Sequence, residues 1–431
     1  MLRLRAVAAL CGLTTACAGV LALGAPRASA DSVRDGQQWV LNMLGAPGAW
    51  TTSQGKGVTV AVLDSGVNPG VSDLAGSVIG GPDLTGISTP ASSPDWGQHG
   101  TWMASIIAGH GHGGDSGIIG VAPAAKILSV RVIPDKNDPG YGTYEHEQES
   151  KVQASLASGI RYAVDHGADI VSMSIGYSAP SAAVRSALQY ANGHGVVVVA
   201  SSGNSGGTPF VHRHAFAPLS FPADYPGVIG VAAVGTGGSA AGFSSDNLSV
   251  QVAAPGVNVP AQGRDGQYWL VSGTSPACAL VAGVAALIKS SYPGLAPDLV
   301  ARALTSTTRY RPTAGYDQQV GFGTVDAVAA LHSAGQLSHE RAVGAGVNSD
   351  VNFGGGPSAV AANPVGPRGS GQLILFAVLA VTALALMAAA VSRLAVLSRV
   401  RRVRRRDGCQ DDALAGLPVA PAPFGVNDPH P

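Results

Sequence analysis

Short apolar runs alternate with longer amphipathic stretches through the middle of the chain. Five of these runs are rich in β-branched residues and carry no polar face: 58–63, 127–132, 170–175, 196–200 and 228–234. Such runs are typical of strands that are covered on both faces, whereas half-exposed strands alternate apolar and polar positions. Helical spacing is found between them, at 152–166 and 181–193. The pattern predicts an α/β fold with a mainly parallel central sheet and helices on both faces.

The first 30 residues have the pattern of an export signal. Arg3 and Arg5 precede an apolar stretch over 6–23, and small residues occupy 28 and 30, the positions that a signal peptidase reads. A first buried helix is the alternative, but nothing polar marks a solvent face on this stretch. We therefore expect residues 1–30 to be a signal peptide.

A second long apolar segment lies near the other end. Residues 373–391 form an unbroken run of 19 uncharged residues, which at about 1.5 Å per residue matches a hydrocarbon core ~30 Å thick. Seven arginines and no acidic residue follow between 393 and 406. Because positively charged flanks stay in the cytoplasm, we expect one C-terminal transmembrane helix in the cell membrane, with the body outside and residues 392–431 inside.

Composition divides the region between these segments into three parts. Residues 31–54 are a short leader before the first strand, and residues 55–335 hold the alternating strands and helices. Residues 336–371 are rich in Gly, Pro, Ser and Asn, as flexible linkers are. The end of the cytoplasmic tail is rich in Ala, Pro, Asp and Gly, and we expect it to be disordered.

Charge and cysteine content exclude two classes of protein. The chain has 26 basic and 26 acidic side chains, but residues 31–372 hold 16 basic and 22 acidic ones, which argues against nucleic acid as a partner. In the exported body the single cysteine is Cys278, since the other three lie in the signal and the tail. A fold held together by internal disulfides is therefore excluded.

Two polar residues of catalytic type stand at a strand end and at a helix start. Asp64 ends the first predicted strand, and His99 opens an apolar helix that runs to residue 109. Functional groups of parallel sheets collect past the carboxyl ends of the strands. Each residue also has a structural alternative: an aspartate after a strand is often a cap or turn residue, and a histidine is often a hydrogen-bonded structural side chain.

Two further candidates follow later in the chain. Ser275 precedes an apolar helix over 277–289, where a serine is first interpreted as a helix N-cap and Pro276 fits the first helical position. The same place suits a nucleophile, because the free N–H groups of a helix start favour negative charge. Asn204 lies in a loop just after the fourth predicted strand, from which its amide can donate to a developing oxyanion.

Together these residues resemble the signatures of subtilisin-like serine proteases (subtilases, peptidase family S8). The segments 61–66, 99–101 and 272–275 each match one of three family motifs, and they occur in the family's order of Asp, His and Ser. The resemblance extends over nearly all of the body. It implies a subtilisin-like three-layer fold and a serine endopeptidase that acts through an acyl-enzyme.

By this resemblance the four candidates have separate roles. His99 takes the proton of Ser275, Asp64 holds the imidazole, and Asn204 together with the Ser275 backbone N–H forms the oxyanion hole. Subtilases usually carry Met or Phe after the serine, where this chain has Pro276. The proline removes only its own N–H, so both expected donors remain, whereas an α/β-hydrolase would lose its oxyanion hole.

The resemblance also assigns a substrate-binding region. One wall is the edge segment on which subtilases bind a peptide as an added strand: Ser174, Ile175 and Gly176. The second wall is the segment before the asparagine: Ser201, Ser202 and Gly203.

No cofactor or metal is expected. Subtilases often bind structural Ca²⁺, but no compact run of oxygen ligands specifies such a site here. Two histidine pairs are interpreted as solvated loop residues rather than metal ligands: His110 with His112, and His212 with His214. Cys278 is interpreted as a small buried apolar side chain.

Among subtilases, the layout is most like that of the mycosins, membrane-anchored proteases associated with type VII secretion. The shared layout is a signal peptide, a short leader, a catalytic domain, a linker, one C-terminal helix and a basic tail. The resemblance implies that the leader, residues 31–54, wraps the catalytic domain. The two disulfides expected of well-known mycosins cannot form here, because Cys278 is alone in the body.

The implied partners are a protein or peptide substrate, the membrane, and membrane components of a type VII secretion system. An alternative function is a non-catalytic structural component that stabilises such a complex. The four intact candidates, Asp64, His99, Asn204 and Ser275, favour an enzyme.

Overall fold

The computed structural model describes residues 30–113, 116–142, 149–214 and 216–339, together with 381–382, 387–389 and 392–393. The chain divides into two units, Met1–Val343 and Gly344–Pro431, and the elements below all belong to the first. The predicted signal peptide and most of the predicted linker, transmembrane segment and tail lie outside the described residues.

Seven strands form the central sheet: β1 (Thr59–Asp64), β2 (Val78–Asp83), β3 (Lys126–Arg131), β4 (Ile170–Met173), β5 (Val197–Ser201), β6 (Val228–Val234) and β7 (Val250–Pro255). Their order is β2-β3-β1-β4-β5-β6-β7, and all neighbours are parallel. From β1 the chain runs to the edge strand β2, returns to β3 between β2 and β1, and then crosses to β4 on the other side of β1. A crevice therefore opens between the carboxyl ends of β1 and β4, where parallel sheets of this kind bind ligands.

Helices cover both faces of this sheet: α1 (Ala30–Leu44), α2 (Ala46–Ala49), α3 (Gln98–Ala108), α4 (Glu149–Asp165), α5 (Ala182–Gly193), α6 (Pro209–His214), α7 (Thr274–Ser291), α8 (Pro297–Ser306) and α9 (Ala327–Leu337). Alternate strand residues belong to different cores. Val60 and Val62 of β1 pack in the core that holds α3 and α7, whereas Ala61 and Leu63 pack in the core that holds α4 and α5. The predicted three-layer α/β fold is confirmed.

Helix α7 is long and strongly apolar, and it lies in the core. It is the one described helix that is long and apolar enough to cross a membrane, but 83% of its apolar stretch is buried inside the protein. Its burial explains its composition, since a helix that packs on every side carries no polar face. It is therefore a core helix of the fold, and it is distinct from the predicted C-terminal span at 373–391.

The leader is more structured than its polar sequence indicates. Residues 30–44 form helix α1, which buries Val40 and Leu44. The Gln37 side chain donates to the Ile119 carbonyl oxygen at 2.7 Å and accepts from the Ile119 N–H at 3.1 Å. The helix is thus fixed by hydrogen bonds to a loop about 80 residues away, which local sequence patterns do not reveal.

A short two-stranded ribbon precedes the core helix α7. It consists of β8 (Val259–Gln262) and β9 (Tyr268–Val271), which pair antiparallel. The sequence pattern did not predict these strands, nor β2 and β7, because β2 and β9 are partly exposed and lack a continuous apolar run. Helices α8 and α9 were likewise not predicted.

Candidate active site

Asp64 and His99 meet at the carboxyl end of the sheet. Asp64 is the last residue of β1 and is 1% exposed, and His99 lies in the first turn of α3. His99 Nδ1 lies 2.8 Å from Asp64 Oδ1, which also accepts the Ser65 N–H at 2.7 Å. Because a carboxylate only accepts, the proton of this contact lies on Nδ1, and the other ring nitrogen is free to act as a base.

Two glycines allow this close approach of strand and helix. A Cβ on Gly100 would lie 2.2 Å from the Gly66 carbonyl oxygen, and one on Gly66 would lie 2.5 Å from the Trp96 ring. Gly66 also has a φ of 101°, which L side chains rarely adopt. A side chain at position 100 would therefore push α3 away from Asp64, and one at position 66 would displace the Trp96 ring.

A second carboxylate, that of Asp135, holds the start of α3. Asp135 follows β3, and its two oxygens accept the backbone N–H of Gln98 at 2.8 Å and of His99 at 3.0 Å. Burial raises the pKa of Asp135 above its usual 3.8 and repulsion by Asp64 adds to this, although the two N–H donors act in the opposite direction. Sequence reasoning missed this residue.

These carboxylates change the basicity of His99. Burial by itself lowers the pKa of His99, but the Coulombic attraction and hydrogen bond of Asp64, with a further attraction from Asp135, raise it above the usual 6.5. Lys136 acts against them. The imidazolium is therefore favoured at this place.

Ser275 lies at the start of α7, within reach of β4. Its Oγ donates to the Ser174 carbonyl oxygen at 3.4 Å, and Ser174 Oγ donates to the Ser275 carbonyl oxygen at 3.1 Å. The N-cap of α7 is Gly273, so the interpretation of Ser275 as the cap residue is wrong by two positions. Ser275 and Pro276 both lie in the first turn, where the proline costs no helical hydrogen bond because the first four N–H groups have no partner in the helix.

Asn204 is oriented toward the same helix start by its side-chain oxygen. Asn204 Oδ1 accepts from Thr274 N at 2.9 Å and from Thr274 Oγ1 at 3.0 Å. Thr274 Oγ1 in turn accepts from Gly203 N at 3.2 Å. The amide NH₂ of Asn204 makes no hydrogen bond among the described residues, so it is available as a donor beside Ser275.

A cleft of about 720 Å³ lies along this edge of the sheet. Its walls include His99 and the three predicted substrate-binding residues Ser174, Ile175 and Gly176. The second predicted wall, residues 201–203, does not line it: Ser201 and Ser202 are buried, and Gly203 supports Thr274. Aromatic walls that the sequence did not indicate come from Trp102 and Trp269, whose ring centroids are 5.7 Å apart.

The remaining candidates have structural explanations. Burial raises the pKa of the Cys278 thiol to about 12, so the thiol stays protonated and unreactive. This agrees with the interpretation of Cys278 as a small buried apolar side chain. His112 is not merely solvated, because its Nδ1 lies 2.5 Å from the buried Asp73 carboxylate. His212 and His214 lie on helix α6 rather than in a loop. Within the described part of the chain, no three His, Cys, Asp or Glu side chains form a metal-binding group.

Comparison with known proteins identifies a protein family and several similar proteins. Residues 55–323 match the subtilase family, peptidase S8. Subtilisin DY of Bacillus licheniformis is 35% identical over 254 residues, which cover 59% of this chain and 84% of the relative. Mycosin-3 of Mycobacterium tuberculosis is 34% identical over 331 residues, which cover 67% of this chain and 70% of the relative.

A solved structure extends the comparison to three dimensions. The MycP3 protease from the type VII (ESX-3) secretion system superposes with a TM-score of 0.58 at 31% identity. The match covers 68% of this chain and 87% of that protein.

Proposed function

This chain belongs to the subtilase family of serine endopeptidases and is similar to the mycosins, and we propose that Asp64, His99 and Ser275 are its catalytic triad. The observation that carries the proposal is the 2.8 Å contact between His99 Nδ1 and Asp64 Oδ1 at the edge of a cleft. Ser275 lies at the start of α7 and is held to Ser174, which lines the same cleft.

The chemistry follows from these positions. His99 Nε2 takes the Ser275 proton as Oγ attacks the scissile carbonyl, and the same nitrogen returns it to the leaving amine. Asp64 keeps the Nδ1 proton in place and stabilises the imidazolium that forms. For this transfer the Ser275 hydroxyl turns from the Ser174 carbonyl toward His99, a rearrangement that substrate binding can drive because catalytic hydrogen bonds often tighten only in the complex.

The direct test of this function is covalent labelling. A fluorophosphonate probe reacts with a serine only when a neighbouring base activates it. We expect the full-length protein to be labelled, and we expect Ser275→Ala to abolish labelling while the protein stays folded. A folded wild-type protein that the probe does not label would contradict the proposal.

We further propose that Asn204 and the Ser275 backbone N–H stabilise the oxyanion. The Asn204 amide oxygen is engaged by Thr274, which fixes the orientation of its NH₂ group. A donor that acts only on the tetrahedral state changes the rate of the chemical step and leaves ground-state binding unaltered.

For Asn204→Ala we expect kcat to fall about 10²–10³-fold with KM nearly unchanged. Steady-state hydrolysis of an unfolded protein such as labelled casein would measure both constants. Thr274→Val is the matched control: it removes the hydroxyl donor to Asn204 but keeps the backbone N–H contact, so a smaller fall is expected. A rise in KM at constant kcat would instead assign Asn204 to substrate binding.

The substrate is proposed to bind as an added strand along residues 174–176. This segment continues β4 past its carboxyl end and lines the cleft beside His99. Main-chain pairing accepts many sequences, which suits an endopeptidase of protein substrates. Of residues 201–203, Gly203 would then act indirectly, since its N–H donates to the Thr274 hydroxyl that holds Asn204.

The cellular role is proposed to be that of a mycosin-type protease of a type VII secretion system, held at the outer face of the cell membrane. Mycosin-3 and the MycP3 protease support the first part of this proposal. The uncharged run at 373–391 and the arginines that follow it support the second. In this proposal the segments have the boundaries predicted from the sequence: a leader at 31–54, a catalytic domain at 55–335, a linker at 336–371, a membrane anchor at 373–391 and a cytoplasmic tail at 392–431.

The membrane arrangement makes a prediction of its own. Each buried CH₂ contributes roughly 0.8 kcal/mol, so a span of this length does not leave the bilayer spontaneously. Protease added to intact protoplasts should remove the body and spare a tag placed after Pro431, and deletion of residues 372–431 should release the body into the medium. Digestion of the tag from outside, or retention of the truncated protein in membranes, would refute this topology.

A further inference from the structure

We propose that Asp135 is a positioning residue of the triad, which holds His99 in place through the backbone of α3 and gives it a second negative neighbour. The inference rests on the proposed function, because Asp135 matters to the chemistry only if His99 is the base. No described hydrogen bond joins Asp135 to the imidazole: its oxygens accept from two backbone N–H groups, and the Ser65 side chain also hydrogen-bonds to it.

Asp135 holds the first two residues of this helix, while the Ser65 hydroxyl accepts the next backbone N–H, that of Gly100, at 3.1 Å. The N-cap position of α3 is Gly97, which has no side chain to cap the helix. Asp135 reaches in from the segment after β3 and uses one oxygen for Gln98 N and the other for His99 N. The residue that carries the imidazole is thus bound at its own backbone, so displacement of Asp135 displaces His99.

Charged groups face His99 from two directions. Asp64 lies at the end of β1, and Asp135 and Lys136 lie in the segment after β3. From its own helix, His99 meets the uncharged ring of Trp102 at 6.2 Å. With 29% of the His99 side chain exposed, solvent screens these charges only in part. Removal of the Asp135 charge should therefore lower the pKa of His99, whereas removal of the Lys136 charge should raise it.

Burial of the Asp135 carboxylate opposes folding when the group is ionised. Its pKa is raised mainly by burial, so the folded protein binds its proton more readily than the unfolded chain does. By linkage, the ionised carboxylate then opposes folding at every pH above its folded pKa. Asparagine offers one acceptor oxygen where the carboxylate offers two, so Asp135→Asn removes the charge and one of the two N–H contacts, and Tm should fall slightly.

The test is the pH dependence of fluorophosphonate labelling in the full-length protein. The rate constant of labelling, measured from about pH 5 to about pH 9, rises as His99 loses its proton and so reports its pKa in the free enzyme. For the wild type we expect a midpoint above 6.5. For Asp135→Asn we expect the midpoint to fall by a few tenths of a unit up to about one unit, and the plateau rate to fall roughly tenfold because His99 is less well placed.

Asp326→Asn is the matched control. Asp326 accepts two backbone N–H groups at the start of α9, from Val328 at 3.0 Å and Ala329 at 3.1 Å, and is not among the residues that line the cleft. Its loss should leave the labelling midpoint where it is. Asp135→Ser, which removes the charge with a smaller side chain, should repeat the midpoint shift if the asparagine variant folds poorly.

Each outcome decides the matter. A lower midpoint in the Asp135 variants, with the midpoint of Asp326→Asn unchanged, supports the proposal. An unchanged midpoint in both Asp135 variants, with or without a loss of Tm, would mean that Asp135 is only a helix cap and would overturn it. A wild-type protein that is not labelled at all would refute the proposed function itself and the inference with it, and is thereby distinguishable from failure at Asp135 alone.

Discussion

Ser275→Ala is expected to lower kcat for peptide hydrolysis by roughly 10⁶-fold, because it removes the proposed nucleophile. The substitution deletes one hydroxyl, whose described hydrogen bond is a 3.4 Å contact with the Ser174 carbonyl oxygen. The fold should therefore be unaffected, and Tm should match that of the wild type. Hydrolysis of labelled casein, with enzyme concentration determined independently, would measure the loss.

Two further variants make this result specific. Ser272→Ala removes a serine of the same loop whose Oγ accepts from Asn258 N at 2.8 Å, and should reduce kcat less than tenfold. The double variant with His99→Ala should be no slower than Ser275→Ala alone, because the two residues act as one unit. Additive losses in the double variant would show that His99 and Ser275 act independently, against a shared triad.

Asp64→Asn should lower kcat by about 10³–10⁴-fold, mainly through loss of charge. Asp64 Oδ1 accepts hydrogen bonds from both His99 Nδ1 and Ser65 N. The buried Oδ2 has no hydrogen-bond partner among the described residues. An asparagine that places its carbonyl oxygen at Oδ1 keeps both contacts, and with them the proton on Nδ1. What disappears is the attraction that stabilises the imidazolium.

The pH midpoint of fluorophosphonate labelling distinguishes loss of the Asp64 charge from displacement of the His99 ring. Because Asp64 is the strongest of the groups that raise the pKa of His99, the midpoint in Asp64→Asn should move further down than in Asp135→Asn. Asp64→Ala serves as the comparison, since it removes the hydrogen bond as well as the charge and should be the slower enzyme. A loss in Asp64→Asn of less than tenfold would show that Asp64 does not support His99.

The sheet and the placement of Asp64, His99 and Ser275 at strand and helix ends could be predicted because the signals are local. β1 is a continuous apolar run that stops at a carboxylate, and α7 is preceded by a glycine and a serine. Parallel strands with helices between them bring such ends to one edge, so the elements alone indicate where the site lies.

Asp135 could not be predicted in the same way. It lies in the segment between β3 and α4, which has no apolar period, and its partners Gln98 and His99 are more than 35 positions away. The hydrogen bonds that fix α1 span an even longer separation. Contacts of this kind depend on the completed fold, and an aspartate in a loop carries no local sign of them.

The strand order determines when the candidate active site forms during synthesis and folding. Asp64 lies on β1 beside β4, while Ser275 begins a helix that is formed from the last third of the folded unit. Contacts between such distant parts of a chain close late, because the entropy of the intervening loop must be lost first. With Ser275 as the proposed nucleophile, we expect a nascent polypeptide to have no proteolytic activity until the segment with Ser275 has been synthesised and has docked on the sheet, so that an incomplete copy does not digest its neighbours.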